Sequence, residues 1–191
     1  MSPPGESRRV LVVAATVAEL CGREGLVCGV GPVEAAAATA RALAVERADA
    51  VLHVGLAGAR ADAGIEPGAL VVGSSACYED LATSEELAPS TVRPDRRLLA
   101  AAARALGAEP LPIGTSARVG SVRACAVEAM EGFAVLRVCQ LAGVPAVEVR
   151  AISNRLGEPR ADWRTDVALD ALARALPRLV AAVAATASPA R

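Results

Sequence analysis

Two polar side chains end the strands of one predicted strand–helix–strand unit, which runs from Val127 to Asn154. Glu131 follows the first strand and precedes a helix predicted from about Gly132 to Ala142. Asn154 ends the second strand, which is buried and follows a Gly-Val-Pro turn. Ligands of open α/β sheets usually bind where strands end. A carboxylate at a helix N-terminus should stay ionised, because the helix dipole favours negative charge there. It is therefore suited to accept hydrogen bonds from the vicinal hydroxyls of a sugar.

Several polar or aromatic residues near predicted strand ends also have an ordinary structural interpretation. Glu19, just past the first strand, is by itself a solvated carboxylate at a helix start, and Asn154 is by itself a cap or turn residue. Phe133 could stack on a base, but core packing is its default role. His53 and Trp163 are predicted to be a core imidazole and a packing anchor. From the residues alone, these alternatives stay open.

Other polar motifs of the chain predict structure more readily than chemistry. Glu148 and Arg150 lie two apart on one strand, so we expect a structural ion pair or an interface pair. The motif CGVGPVE is not a dinucleotide fingerprint, because Glu34 stands where the third glycine would be. The motif GLAGA (55–59) follows a buried strand, where its glycines could bring backbone N–H groups to a ligand. A simple turn is an equally good interpretation of GLAGA.

Composition excludes several functional classes. His53 is the only histidine and the chain has no GxSxG elbow, so hydrolysis through a histidine base is improbable. Without a ligand cluster, metal catalysis is improbable too. The five cysteines include no CxxC and are odd in number, so we expect buried free thiols rather than disulfides or a zinc knuckle. A net charge of −1 and three aromatic residues argue against a nucleic-acid partner.

The order of predicted elements indicates one α/β domain with a parallel or mixed sheet. With 191 residues the chain is long enough for one sizeable core. Neither a signal core nor an apolar run of about 18 residues occurs, so we expect a cytoplasmic protein that does not bind membranes. We predict a disordered lead (1–7), a folded domain (8–187) and a tail (188–191). Strands are predicted at 8–15, at 25–30, at 51–55, from 69 onward, at 111–115 and in the strand–helix–strand unit. Besides the helix of that unit, helices are predicted at 33–47, 96–106 and 161–176, the last with a kink at Pro177. A loop is predicted at 82–94.

From about Val10 to Leu172 the chain resembles the nucleoside phosphorylase/nucleosidase superfamily. The ordered motifs GVGPVEAA, VGLAGA, IEPGALVVGSSACYED and VEAMEGFAVLRVCQLAGVPAVEVRAISN carry the resemblance. Within the part of the superfamily that is similar to methylthioadenosine/S-adenosylhomocysteine nucleosidases, MEGF (130–133), ISN (152–154) and PRADW (159–163) look most like the futalosine hydrolase family of menaquinone biosynthesis. The methylthioadenosine group usually carries Asp where Asn154 stands.

The resemblance implies a single-domain fold with a central mixed β-sheet flanked by helices. It also implies hydrolysis of the N-glycosidic bond of futalosine with release of hypoxanthine, no metal or organic cofactor, and a homo-oligomer. Glu19 matches the carboxylate that activates water, and Asn154 matches the residue that faces the purine. The implied substrate-binding residues are Met130 and Glu131 at the ribose, Gly58 near the sugar, and Phe133 and Val119 near the base.

Asn154 favours a 6-oxopurine, because hypoxanthine presents acceptors at O6 and N7 and the carboxamide N–H₂ can donate to either. Adenine, with its 6-amino donor, suits a protonated Asp better. Two segments, 20–28 and 119–128, are shorter than the family pattern, and both border the implied site. The alternatives are an adenine-specific nucleosidase, a purine nucleoside phosphorylase, and a homologue that binds nucleosides without turnover.

Overall fold

The computed structural model describes residues 8–187; the predicted lead (1–7) and tail (188–191) lie outside the described residues. Within that range the chain forms eight strands and four α-helices. The strands are β1 Val10–Ala14, β2 Leu26–Val27, β3 Ala50–Ala59, β4 Leu70–Tyr78, β5 Thr91–Val92, β6 Leu111–Thr115, β7 Val127–Ala129 and β8 Ala146–Arg155. The α-helices are α1 Pro32–Val45, α2 Arg96–Leu106, α3 Gly132–Ala142 and α4 Thr165–Thr186.

Strand β3 lies at the centre of the sheet. It pairs in parallel with β1 and β8 and antiparallel with β7. From β8 the pairing continues through β4, β6 and β7 and returns to β3, so five strands form a closed ring. The predicted mixed α/β architecture is confirmed, and the closure of the ring is a feature that the sequence did not indicate.

Alternation along β1 shows how the sheet is covered. Val12 and Ala14 pack into a core with α2 and α4, whereas Val13 packs into a second core with α1 and α3. Successive side chains of a strand point to opposite faces, so each face is covered by one pair of helices. The continuous apolar run of β1 follows from this arrangement, because both of its faces are buried.

Local signals explain where two of the helices begin or end. The side chain of Asp95 caps α2 by accepting hydrogen bonds from the N–H groups of Arg97 and Leu98, at 2.9 and 3.0 Å. Helix α3 ends at Gly143, whose φ of +70° is in the left-handed region that favours glycine. Helix α4 continues through Pro177 to Thr186. It starts at Thr165 rather than at 161, after a 3₁₀ turn at Arg160–Asp162.

Three predicted boundaries need correction. GLAGA is not a turn: β3 continues through Ala59, because β8 and β7 pair with it to that point. The strand predicted at 25–30 shrinks to Leu26–Val27, and the loop 82–94 contains β5. No α-helix within residues 8–187 combines the length and the apolar character needed to cross a bilayer.

Candidate active site

A cavity of about 370 Å³ opens where β1, β3, β7 and β8 end. Four chain segments that are far apart in sequence meet there, and the predicted strand–helix–strand unit supplies one side. Six of the seven side chains or backbone positions that the sequence singled out line this cavity: Glu19, Gly58, Val119, Met130, Glu131 and Asn154.

Phe133 is the exception, since it packs in the core under α3 and does not line the cavity. Its ring stacks on that of Tyr78, with 5.1 Å between the centroids. Its backbone N–H donates to Thr115 Oγ1 at 2.9 Å. The residue occupies the first turn of α3 on the side that faces the sheet, so core packing accounts for the ring.

The Glu19 carboxylate is fixed by three hydrogen bonds. Oε2 accepts from the N–H and the hydroxyl of Thr16, at 2.9 and 2.8 Å. Oε1 accepts from the N–H of Leu56 in β3, at 2.8 Å. The residue lies in a 3₁₀ turn, Ala18–Leu20, directly after β1. The side chain of Glu19 is therefore a buried and oriented hydrogen-bond acceptor, and not a solvated carboxylate at a helix start.

Glu131 is held from two sides at the start of α3. Oε1 accepts from the N–H of Gly31 at 3.0 Å, and Oε2 lies 3.3 Å from Arg150 Nη1. Gly31 has a φ of +91°, a conformation that strongly favours glycine, and this turn directs its N–H to the carboxylate. The motif GVGP thus contributes to the site by positioning Glu131.

Behind Glu131 lies a group of four buried side chains, which we call the buried charge cluster: Arg150, Glu131, Glu148 and His53. Arg150 Nε donates to Glu148 Oε1 at 2.8 Å, and Nη2 donates to His53 Nε2 at 2.5 Å. His53 Nδ1 lies 3.1 Å from the carbonyl oxygen of Val13. An arginine only donates and a carbonyl only accepts, so His53 carries its proton on Nδ1.

Burial determines the protonation of this cluster. It lowers the pKa of His53 well below the ordinary value, and the charge of Arg150 lowers it further. Burial also raises the pKa of Glu148, against the opposing effect of Arg150. Burial alone would lower the pKa of Arg150, but Glu148 and Glu131 raise it. The cluster therefore holds a permanent guanidinium and a neutral imidazole. The predicted Glu148–Arg150 pair is confirmed, and the structure adds Glu131.

Three glycines make room for polar side chains in and around the cavity. A Cβ on Gly55 would overlap the Arg150 guanidinium and lie 2.9 Å from Glu19 Oε1. One on Gly58 would lie 3.0 Å from Asn154 Nδ2, and one on Gly132 would overlap the Glu148 carboxylate. The glycines of GLAGA and MEG thus leave space for polar side chains.

Asn154 presents its amide edge to the cavity in a defined orientation. Nδ2 donates to the carbonyl oxygen of Arg155 at 3.1 Å, and because a carbonyl only accepts, this bond assigns the nitrogen. The hydroxyl of Ser153 lies 2.9 Å from Oδ1 and 3.2 Å from the carbonyl oxygen of Ala57. One N–H of Nδ2 is left over, which makes the residue a hydrogen-bond donor toward a ligand.

Glu128, Arg160 and Trp163 are among the lining residues that sequence reasoning did not single out as site residues. Glu128 lies beside Gly58 in the sheet, and Arg160 stands over the ring of Trp163, 5.6 Å from its centroid. The PRADW motif was a usable signal for Arg160 and Trp163. Two charges in the otherwise apolar strand β8 were a signal for Arg150, which holds Glu131 from behind the cavity. Glu128 gave no signal beyond its place beside Met130 and Glu131.

A larger depression of about 740 Å³ lies elsewhere, along the N-terminal half of β1 and residues 22–26. It contains none of the predicted site residues and coincides with the shortened segment that follows Glu19. Among the described residues, no three His, Cys, Asp or Glu side chains form a group that could hold a metal ion. In the smaller cavity, an oriented carboxylate can accept a proton and an amide can stabilise a leaving group.

Sequence comparisons identify the family to which the chain belongs. A sequence profile of the phosphorylase superfamily matches residues 23–123 and 116–187. The futalosine hydrolase of Streptomyces coelicolor is 36% identical over 185 residues, which cover 81% of this chain and 77% of that protein. The futalosine hydrolase of Thermus thermophilus is 52% identical over 56 residues, 29% of this chain and 25% of that protein.

Solved structures share the fold at lower identity. Futalosine hydrolase of Helicobacter pylori superposes with a TM-score of 0.79 at 17% identity, over 92% of this chain and 98% of that one. A methylthioadenosine/S-adenosylhomocysteine nucleosidase of Colwellia psychrerythraea, in complex with adenine, gives 0.77 at 21%, over 95% and 96%. The chain belongs to the phosphorylase superfamily and, within it, to the futalosine hydrolase family of N-glycosyl hydrolases.

Proposed function

We propose that this protein hydrolyses the N-glycosidic bond of futalosine and releases hypoxanthine. The observation that carries the proposal is the convergence of Glu19, Glu131 and Asn154 on one cavity, in a chain 36% identical to a futalosine hydrolase. In this reaction the ribose carbon gains positive charge as the base leaves. The chain then needs a group for water, a group for the sugar and a group for the base.

Glu19 is proposed to accept a proton from the attacking water. An ionised carboxylate has about four acceptor positions, and three are taken by Thr16 and Leu56. The remaining position is available to one water molecule. Because the three protein donors fix the carboxylate, the water would be held in a defined place for general-base catalysis.

Glu131 is proposed to hold the ribose. Two of its roughly four acceptor positions are used by Gly31 and Arg150, which leaves two for vicinal hydroxyls. Met130 precedes it and is half-buried in the cavity wall, so it can cover the apolar side of the sugar. The negative charge of Glu131 would also stabilise the oxocarbenium-like transition state.

Asn154 is proposed to donate to the departing base. Nδ2 gives one N–H to the carbonyl oxygen of Arg155, and its other N–H can donate to a ligand. A 6-oxopurine offers acceptors to it, whereas adenine would place an amino donor against a donor. Each buried group left unpaired costs about 1–3 kcal/mol, which favours hypoxanthine as the leaving base.

Hydrolysis is preferred over phosphorolysis because of the charges around the cavity. A phosphate co-substrate needs a cationic pocket, but the lining carboxylates Glu19, Glu128 and Glu131 would repel it. Arg150 is already engaged by Glu148 and Glu131. Of residues 8–187, Arg160 is the one that lines the cavity with a positive charge, and its guanidinium stands over the ring of Trp163.

The first experiment is a substrate test. The protein is incubated with futalosine, inosine and methylthioadenosine, with and without phosphate, and the released base is identified by chromatography. We expect hypoxanthine from futalosine without phosphate. Adenine from methylthioadenosine with futalosine untouched would refute the proposal, and phosphate-dependent release would assign a phosphorylase. Nucleoside binding by calorimetry without any released base would assign a non-catalytic protein.

Glu19→Gln tests the water-activating group. We expect kcat to fall by about 10²–10⁴-fold, the usual contribution of a general base, while futalosine still binds. Glu66→Gln is the matched control, because Glu66 lies on the surface in an exposed pair with Arg155. Unchanged turnover in the Glu19 variant would mean that another group activates the water.

Asn154→Asp tests how the base is recognised. We expect the ratio of kcat/KM for 6-oxopurine and 6-aminopurine nucleosides to shift toward the amino compounds, because a protonated Asp can donate to N7 and accept from the amino group. Rates with inosine and adenosine measure the shift. An unchanged ratio would contradict the donor role of the amide.

A further inference from the structure

The cavity wall that contains Val119 has an unusual backbone. We call residues 117–125 the wall segment. Within the described residues, none of its N–H groups donates to a backbone carbonyl. Seven of its nine N–H groups donate to side-chain oxygens instead. Since the described structure shows no backbone–backbone bonds from these N–H groups, the side chains that accept their bonds define where the segment lies.

Three carboxylates from outside the segment accept six of these bonds. Glu79, just after β4, accepts from residues 123, 124 and 125 at 2.5, 3.1 and 3.1 Å. Asp80 accepts from Ala117 at 2.6 Å. Glu128 accepts the remaining two, which come from the middle of the segment.

Glu128 is the one of the three carboxylates that also lines the cavity. Oε1 accepts from Gly120 at 2.6 Å and Oε2 accepts from Val122 at 2.9 Å, so both oxygens are directed to the wall segment. The residue is 4% exposed. The two amides that it holds follow Val119 closely, and Val119 is the residue of the segment that reaches the cavity.

The sheet is built to bring the segment close to Glu128. Glu128 pairs with Gly58 on one side and with Gly114 on the other. A Cβ on Gly114 would lie 2.5 Å from Val122 and 2.9 Å from Glu79 Oε1. The missing side chain therefore leaves the space in which Val122 packs, and the segment folds back over β6.

We propose that Glu128 is a positioning residue that sets the affinity for the base by fixing the wall segment. It acts through the segment: its hydrogen bonds hold Gly120 and Val122, and these hold Val119 against the cavity. The proposal rests on the proposed function in placing the base on this side of the cavity. It predicts an effect on ground-state binding rather than on the chemical step, because Glu128 acts through the position of Val119, an apolar side chain that takes no part in proton transfer.

Glu128→Gln tests the proposal, since the side chain keeps its size but replaces one acceptor oxygen by an N–H₂ group that opposes a backbone N–H. We expect KM for futalosine and Kd for free hypoxanthine to rise together by about tenfold, the equivalent of one hydrogen bond to a charged group, with kcat within about twofold. Amide hydrogen exchange of residues 117–125 should become faster. Glu128→Asp, which keeps the charge but shortens the reach, should move the same quantities less.

Glu79→Gln is the matched variant, because Glu79 holds the same segment but does not line the cavity. If the segment carries the effect, this variant also raises both constants. A fall in kcat at unchanged KM in Glu128→Gln would overturn the proposal in favour of a catalytic carboxylate. Faster exchange with unchanged hypoxanthine binding would overturn it as well. Hypoxanthine binding and exchange can be measured even if futalosine is not the substrate, so failure of the proposed function is recognised separately.

Discussion

The buried charge cluster and the wall segment form two sides of the same cavity by different means. In the cluster, side chains bond to side chains on rigid strands, and Arg150 is fully buried. In the wall segment, carboxylates bond to backbone N–H groups of a stretch without regular structure. The cluster fixes the carboxylate that is proposed to bind ribose, which every nucleoside shares. The wall segment is held by carboxylates from outside it, which bond to its backbone rather than to its side chains.

The largest effect is expected when the cluster is broken. Arg150→Met leaves Glu131 and Glu148 buried without their cation. Removing one partner of a buried ion pair typically costs about 3–5 kcal/mol, so we expect the free energy of unfolding in urea to fall by that amount. Turnover should be lost with it, because Glu131 loses its support.

Arg155→Met is the control for that change, since its pair with Glu66 lies on the surface. Exposed pairs contribute little, and we expect an unchanged unfolding curve. Equal losses of unfolding free energy in Arg150→Met and Arg155→Met would show that the buried charge cluster stabilises the fold no more than a surface ion pair does.

A smaller effect concerns the pH dependence of the cluster through His53. Burial, then Arg150, depresses the pKa of this imidazole in the folded state, whereas the unfolded chain takes up a proton below about pH 6.5. Below that pH the unfolded state binds more protons, so the folded state should lose about 1.4 kcal/mol of stability for each pH unit. The loss continues until the folded pKa is reached.

His53→Gln should remove this pH dependence, because a carboxamide does not titrate in this range. Its oxygen can still accept a hydrogen bond from Arg150, so the cluster is otherwise kept. Urea unfolding of both proteins between pH 7 and pH 5 measures the difference. As His53 is the only histidine, its C2 proton gives a single NMR signal. A titration of that signal with a midpoint near 6.5 in the folded protein would contradict the prediction.

The smallest effect is expected at the wall. Burial raises the pKa of Glu79, but the N–H groups of residues 123–125 outweigh it, and the net pKa lies below the ordinary value of 4.5. A depressed pKa means that the stabilisation is present above 4.5 and is lost as the pH falls through the folded pKa. The stability difference between the wild type and Glu79→Gln should therefore shrink in acid. A difference that is constant from pH 7 to pH 3 would show that the charge of Glu79 is not what holds the segment.

The same contrast explains what sequence could predict. The bounds of α2, α3 and β6 follow from periodicity and from local signals such as Asp95 and Gly143, which act within a few residues. The cluster was visible only as two charges on β8, because its links to His53 and Glu131 depend on strand register and on packing. The backbone of the wall segment bonds to carboxylates from outside it, and no pattern within the segment records this.

Single residues were misread for related reasons. Gly55 and Gly58 favour a turn by residue type, whereas in the structure β3 continues through both, with an irregular register at Ala57/Gly58, and their small size admits Arg150 and Asn154. The resemblance places Phe133 near the base, whereas core packing is the default role of its ring. Each position along a helix turns a side chain by about 100°, and Phe133, two positions after Glu131, is directed to the core.

The anchoring of the wall segment also suggests how its specificity could be redesigned. Its course is determined largely by Glu79, Asp80 and Glu128, all of which lie outside it and bond to its backbone. The side chain at 119, which lines the cavity, can therefore be exchanged while these anchors are kept. For protein engineering, Val119 is thus a position at which the lining of the pocket can be varied without touching the buried charge cluster.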